Sequence, residues 1–234
     1  MTITTSATSG TTRLDYIAIH SKQPQGSPDL ENGTFGTPEF VHRITNQNHH
    51  AAQAADMVII IPTSQKLLKQ AQRIKALHEQ HDSLRVTIVP ADELYNEFSS
   101  GTPDANAYRR YMKMLYDRAE TEEDMPRFLL LLGDAAWDNR MRVSEWSTTS
   151  VDDFLLCYES ENSYSHTYCY VSDDYFGLLD DNEGASLLTE KGDIAVGRIS
   201  ARTADEATIV VDKIDNYINN KEAAIWQNTG CMMG

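Results

Sequence analysis

The stretch Tyr168–Tyr217, YCYVSDDYFGLLDDNEGASLLTEKGDIAVGRISARTADEATIVVDKIDNY, reads as a strand, an acidic connection, a second strand and a capped helix. The connection carries Asp173, Asp174, Asp180, Asp181 and Glu183, with Asn182 and Gly184 as turn formers. Ile194–Gly197 is short, apolar and bounded by glycines, the pattern of a strand buried in a sheet. Thr203 and Glu206 stand at capping-box spacing, so each side chain takes up a backbone N–H that the first helical turn leaves without a partner. Val210, Ile214 and Tyr217 follow at steps of four and three, which predicts a helix with that face on the sheet.

Working upstream, the same alternation repeats. Phe128–Leu132 (FLLLL) is the most apolar run and predicts the most buried strand, while Met57–Ile61 (MVIII) is a second buried strand closed by Pro62. Ser64 is placed to cap a helix whose stripe is Leu67, Leu68, Ala71, Ile74 and Leu77, ending near Gln80. Arg85–Val89 is the next strand, stopped by Pro90, and Ala91–Phe98 is a short helix ending before Gly101. Asp104 is placed to cap a longer helix with Tyr108, Tyr111, Met112, Leu115 and Ala119 along its apolar face. Strands alternating with helices of this length predict an α/β fold with a mostly parallel sheet of about four or five strands. Residues 154–158 and 168–171 read as a hairpin or edge pair inserted before the last strand.

The N-terminal part reads differently. Residues 1–44 form a lead without pattern, one alternating strand at Leu14–Ile19 and a loop rich in Pro, Gly, Ser and Asn over Gln23–Glu39. They are expected to be a disordered lead and the tail of a preceding β segment, with the regular unit running over 45–234. MTITTSATSGTT has neither a basic n-region nor an apolar h-region, so no signal peptide is expected there, and no run is long enough to span a membrane.

The 35 acidic residues outnumber the 20 basic ones, a formal charge of -15, which argues against nucleic acid or an anionic membrane surface as partner. Carboxylates in excess also suit a hard cation such as calcium. The three cysteines, Cys157, Cys169 and Cys231, have no metal-ligand spacing; pairing of the hairpin would bring Cys157 towards Cys169, and two buried free thiols are the expectation. His49 and His50 lack a placed third partner, which favours an exposed or capping role. In open α/β sheets the working groups collect beyond the carboxyl ends of the strands. Asp134 and Asp138, just after the FLLLL strand, and Arg198, at the end of the last one, are expected there. Asp134 is expected to bond its own loop in an Asx-turn, or Arg198 to bridge to one of the two aspartates. A phospho-acceptor receiver is disfavoured, because the first strand ends in Pro62-Thr63-Ser64.

The acidic D-x-Y-F turn at Asp173–Phe176, the strand end Gly197–Ser200 (GRIS), the helix segment Asp212–Tyr217 (DKIDNY), Thr45–Ile61 (TNQNHHAAQAADMVIII) and Phe128–Asn139 (FLLLLGDAAWDN) together resemble the gingipain-like cysteine peptidases, family C25. The resemblance spans roughly Arg43 to Gly234. It implies a three-layer, caspase-like α/β subdomain belonging to a cysteine endopeptidase. It further implies a sortase-like acyltransferase acting on secreted proteins at the outer membrane or cell surface. In that family the histidine of a His-Gly step and the cysteine closing an apolar strand both follow the helix that corresponds to Thr203–Asn220. No His-Gly step occurs in this chain, and His166 and Cys169 lie too close in sequence to serve as the pair. Cys231 reads as the end of the next sheet strand. The expectation is therefore the first subdomain of a catalytic unit, with the dyad outside the chain and the second catalytic subdomain and protein substrates as partners.

The family's V-x-x-D-x-F calcium loop falls on Val171, Asp174 and Phe176, but Leu178 stands where the family has a glutamate. Asp173, Asp180 or Asp181 substitutes for it, or the site is lost and the turn is simply solvated. The alternative class is a calcium-dependent or protein-binding module that never had a dyad.

Overall fold

The computed structural model describes residues 46–220 except 147, 163 and 188, together with 224 and 229–231. The strand expected at Leu14–Ile19 lies outside the described residues. Four strands, β1 (Met57–Ile61), β2 (Val86–Pro90), β3 (Phe128–Leu132) and β6 (Ala195–Ile199), form one parallel sheet in the order β2-β1-β3-β6. The α/β architecture is thus as read. Helices α1 (Leu68–His81), α2 (Ala91–Phe98), α3 (Asn106–Asp117) and α4 (Ala204–Ile218) cover its two faces.

Period-two alternation divides the strands between two cores. Val58, Ile60, Leu129 and Leu131 join Leu94, Tyr95, Tyr108, Tyr111 and Met112 on the α2/α3 side. Met57, Ile59, Ile61 and Leu132 join Ala71, Ile74, Ala207 and Val211 on the α1/α4 side. Central β1 is buried at all five positions. β3 is equally interior in the strand order, yet it is less buried, since Phe128 at its start is 38 % exposed; the most apolar run is not the most buried strand.

Several boundaries move, each for a local reason. Ser64 does not cap α1: its N–H donates to the Asp152 carbonyl, and Gln65 turns back on Pro62 at a positive φ of 54°, so the helix starts after Leu67. Pro90 belongs to β2, opposite Ile61 at the sheet edge, where its missing N–H costs nothing. α3 stops at Asp117, short of Ala119, and Asp104 Oδ1 accepts the Asn106 N–H at 2.9 Å. The Thr203/Glu206 capping box is present. α4, however, buries Ala207 and Val211, and Tyr217 is 68 % exposed; small residues let this helix approach α1, which turns the predicted stripe partly outward.

The hairpin is present as β4 (Tyr158–Glu159) and β5 (Val171–Ser172), with Tyr158 opposite Ser172. That register sets Cys157 and Cys169 on different rungs. Cys157 is buried and Cys169 is exposed on the outer arm, so the expectation of two buried thiols holds for one.

Candidate functional site

At the carboxyl edge of the sheet the strands leave carbonyl oxygens without ladder partners, and a donor-rich side chain answers them. Arg198, one residue from the end of β6, has a side chain only 9 % exposed. It grips Asp173 through Nε and Nη2, both at 2.7 Å, and donates to the carbonyls of Gly133 and Leu156 at 3.1 Å each. One guanidinium thus ties together the end of β3, the segment entering β4 and the acidic turn after β5. Such a planar fork suits several oxygens at once, which an ammonium does not. Gly133 makes the crossing possible: a Cβ there would lie 2.9 Å from Pro62 and 3.1 Å from Leu155.

The aspartates expected beside Arg198 are held otherwise. Asp134 pairs with Arg202 at 2.5 Å, and its other oxygen accepts the Ala135 N–H at 3.0 Å; Arg202 also lies over the Trp146 ring. Asp138 accepts the N–H groups of Val143, Arg140 and Arg142, and these bonds, Val143's foremost, hold its carboxyl below the usual range. It is the staple of a loop.

Beneath this edge lies an aromatic layer. Tyr95 and Tyr108 share a hydroxyl–hydroxyl bond of 2.5 Å, and Tyr108 also accepts the Leu156 N–H at 3.3 Å. Burial pushes the Tyr108 phenol up to about 12, so both hydroxyls stay protonated and the 155–157 segment is fixed from below. Cys157 sits in that segment with its thiol towards the Ala136 carbonyl, and burial first, then the Glu159 charge, raises its pKa. That is the setting of an inert thiol. Among the described residues no histidine meets a cysteine thiol. His49 and His50 instead pair with Glu93 at 2.6 Å and Glu97 at 2.8 Å. Burial pushes the Glu97 carboxyl up, but the His49 N–H, the Gln47 amide and the His50 ring and N–H together bring it down to about 2. The histidines clasp the segment before β1 to α2 through its glutamate side chains and cap no helix end, and His50 is the more exposed of the two.

In the acidic connection, Val171 lies in β5, Asp174 is exposed and Phe176 is fully buried against Tyr108. Leu178, at the family's glutamate position, is 2 % exposed and faces the core. Of the substitutes considered from sequence, Asp173 is taken by Arg198 and Asp181 by Lys113. Asp180 does join a cluster, with Glu183 and Asp193, whose carboxylate oxygens lie within 4.8 Å of one another, although Asp193 Oδ2 already accepts the Leu179 and Asp180 N–H groups. Sequence reading missed Asp193, ten residues beyond the turn. It also missed Arg109 and Lys113, which α3 sends across to the connection. Their i,i+4 spacing beside the Tyr108–Met112 stripe is the one signal that was available.

A family model described as Peptidase family C25 matches residues 50–234. The chain belongs to this family of cysteine peptidases. Among solved structures it is similar to dimeric latent PorU from Porphyromonas gingivalis, with 37 % identity and a TM-score of 0.73, covering 88 % of this chain and 19 % of that one. The chain therefore spans about a fifth of that protein's length. A second solved structure, described as a protease, has 14 % identity and a TM-score of 0.48 over 75 % of this chain and 30 % of its own. No curated protein matches the chain. Among the described residues no helix is long and apolar enough to cross a membrane.

Proposed function

We propose that residues 45–234 are the first subdomain of the catalytic unit of a gingipain-like cysteine endopeptidase, and that the cysteine–histidine pair belongs to the part of the parent protein beyond this chain. The observation that carries this reading is the PorU likeness over 88 % of the chain, joined to a site in which Cys157 is buried with a raised pKa and the histidines are engaged with glutamates. On the resemblance read in the sequence, we extend this proposal to a parent that is a sortase of the type IX secretion system at the cell surface. In that chemistry a thiolate attacks a peptide carbonyl, the histidine passes its proton to the departing amine, and the acyl-enzyme is released to water or to an anchoring amine. This chain's part is mechanical. Its sheet sets the height of the carboxyl edge, and Arg198 fixes the loops that border the cleft.

Calcium enters this reading as an accessory ion, held by Asp174 with the carbonyls of Val171 and Phe176 or by Asp180, Glu183 and Asp193. Few carboxylates in a partly exposed setting imply affinity in the range of about 10⁻⁴–10⁻³ M.

The test compares the isolated chain with the protein encoded by the whole reading frame on unstructured peptides. The chain alone is expected to cleave nothing and the longer protein to cleave, with loss of activity on alkylation. Cleavage by the chain alone that disappears when Cys169 is alkylated would sink the assignment. A reading frame that ends at Gly234 would instead favour the binding module.

A further inference from the structure

We infer that the order of the connection between Val171 and Asp193 is carried by the protein's own side chains, Arg198 above all, with Asp193 and Glu190 taking backbone N–H groups of the connection, and does not depend on a bound metal ion. A calcium loop turns carbonyl and carboxylate oxygens onto one central charge. Here a comparable set of oxygens is turned onto three nitrogen cations. Arg198 collects both Asp173 oxygens and the carbonyls of Gly133 and Leu156. Arg109 takes the carbonyls of Leu178 at 2.6 Å and Glu183 at 2.8 Å. Lys113, one turn further along α3, takes the Leu179 carbonyl and Asp181, both at 3.0 Å.

The surroundings are shaped to these cations. Gly184 adopts a φ of +98°, and a Cβ there would lie 3.1 Å from both Arg109 Cζ and the Tyr175 ring. Arg109 in turn lies 5.1 Å from the centre of that ring. Leu178 puts a buried hydrocarbon where a glutamate would bring a charge, and its carbonyl is spent on Arg109. Calcium, where it binds, decorates a loop already built. The inference concerns the same loop as the calcium assignment above, yet the two fail separately. Absence of calcium binding in a titration removes the ion alone; collapse of the loop in chelator removes the cation frame.

The experiment uses the whole chain purified in EDTA, with thermal unfolding and the rate of trypsin cleavage after exposed Lys191 as readouts. Wild type is expected to show the same melting temperature and cleavage rate with EDTA as with millimolar calcium chloride, to within a few degrees and about twofold. In EDTA, Arg198→Met is expected to be cut at least about tenfold faster, because a largely buried pair has lost its donor. Arg198→Lys should restore only part, since an ammonium cannot serve four oxygens in one plane. Should Arg198→Met fail to fold, Arg109→Met removes a more peripheral arm and is expected to raise cleavage severalfold. Wild type that EDTA opens to trypsin at the rate of the Arg198→Met protein would overturn the inference, as would Arg198 and Arg109 variants cut no faster than wild type.

Discussion

The two ends of the sheet solve opposite problems with the same residue types. At the amino end of the strands, backbone N–H groups are left over, and the buried group is an acceptor. Asp56, 7 % exposed, accepts from the Arg85 N–H at 2.7 Å and from the Arg85 and Arg127 guanidinium groups, while its own carbonyl takes the N–H groups of Arg127 and Phe128. The arginines there lie outside, with side chains 43 % and 54 % exposed. At the carboxyl end, carbonyls are left over, and the buried group is the donor Arg198, with Asp173 nearer the surface. Polarity of the unsatisfied backbone decides which partner is buried.

The comparison predicts unequal costs. Arg198→Met strands one carboxylate and two carbonyls in a largely dry site, an expected loss of about 3–5 kcal/mol and a fall in melting temperature of roughly 10 °C, measured calorimetrically. Asp56→Asn keeps one acceptor and leaves arginines that water reaches, so about 2 kcal/mol is expected. If the two losses are equal, or Asp56 costs more, the contrast between the ends is wrong. Tyr108→Phe removes the shared hydroxyl bond beneath the carboxyl edge and should cost about 1–2 kcal/mol. Thr203→Ala removes the α4 cap, for about 1 kcal/mol.

Acid sharpens the same contrast. Asp56 is held below its ordinary pKa of 3.8, the Arg85 hydrogen bond being the largest cause, and Glu97 is brought from 4.5 to about 2. Both are depressed in the folded state, so their stabilisation is complete above the unfolded values and is lost as pH falls through the folded ones. Denaturant midpoints should therefore be flat above about pH 5 and decline towards pH 2. The Glu97→Gln protein should show a shallower decline.

Strands and helices were legible in sequence because long apolar runs and helical spacing survive any tertiary context. Met57–Ile61, Ala91–Phe98 and the capping box needed no neighbour to be read. Partner choice was not legible. Arg198 meets Asp173 rather than Asp134, and Asp134 meets Arg202, because side-chain reach across strand ends decides and sequence separation does not. Exposure failed wherever the facing element was missing from view, as at Tyr217, Phe128 and Cys169. Of the acidic connection, sequence offered the carboxylates and the leucine in the glutamate's place. The cations that face them come from a helix some sixty residues earlier and were invisible.

The strand order has a consequence for the sequence of folding events. β1 and β2 are joined by one helix, and β3 follows on the other side of β1 after two more, so these three strands can assemble through modest loops. β6 reaches its place beside β3 only after roughly sixty residues of hairpin and acidic turn have been closed, the costliest loop in the sheet. We expect amide protection to appear in β1–β3 first and in β6 last under pulse-labelled exchange, with the Arg198 clasp closing as the final strand docks.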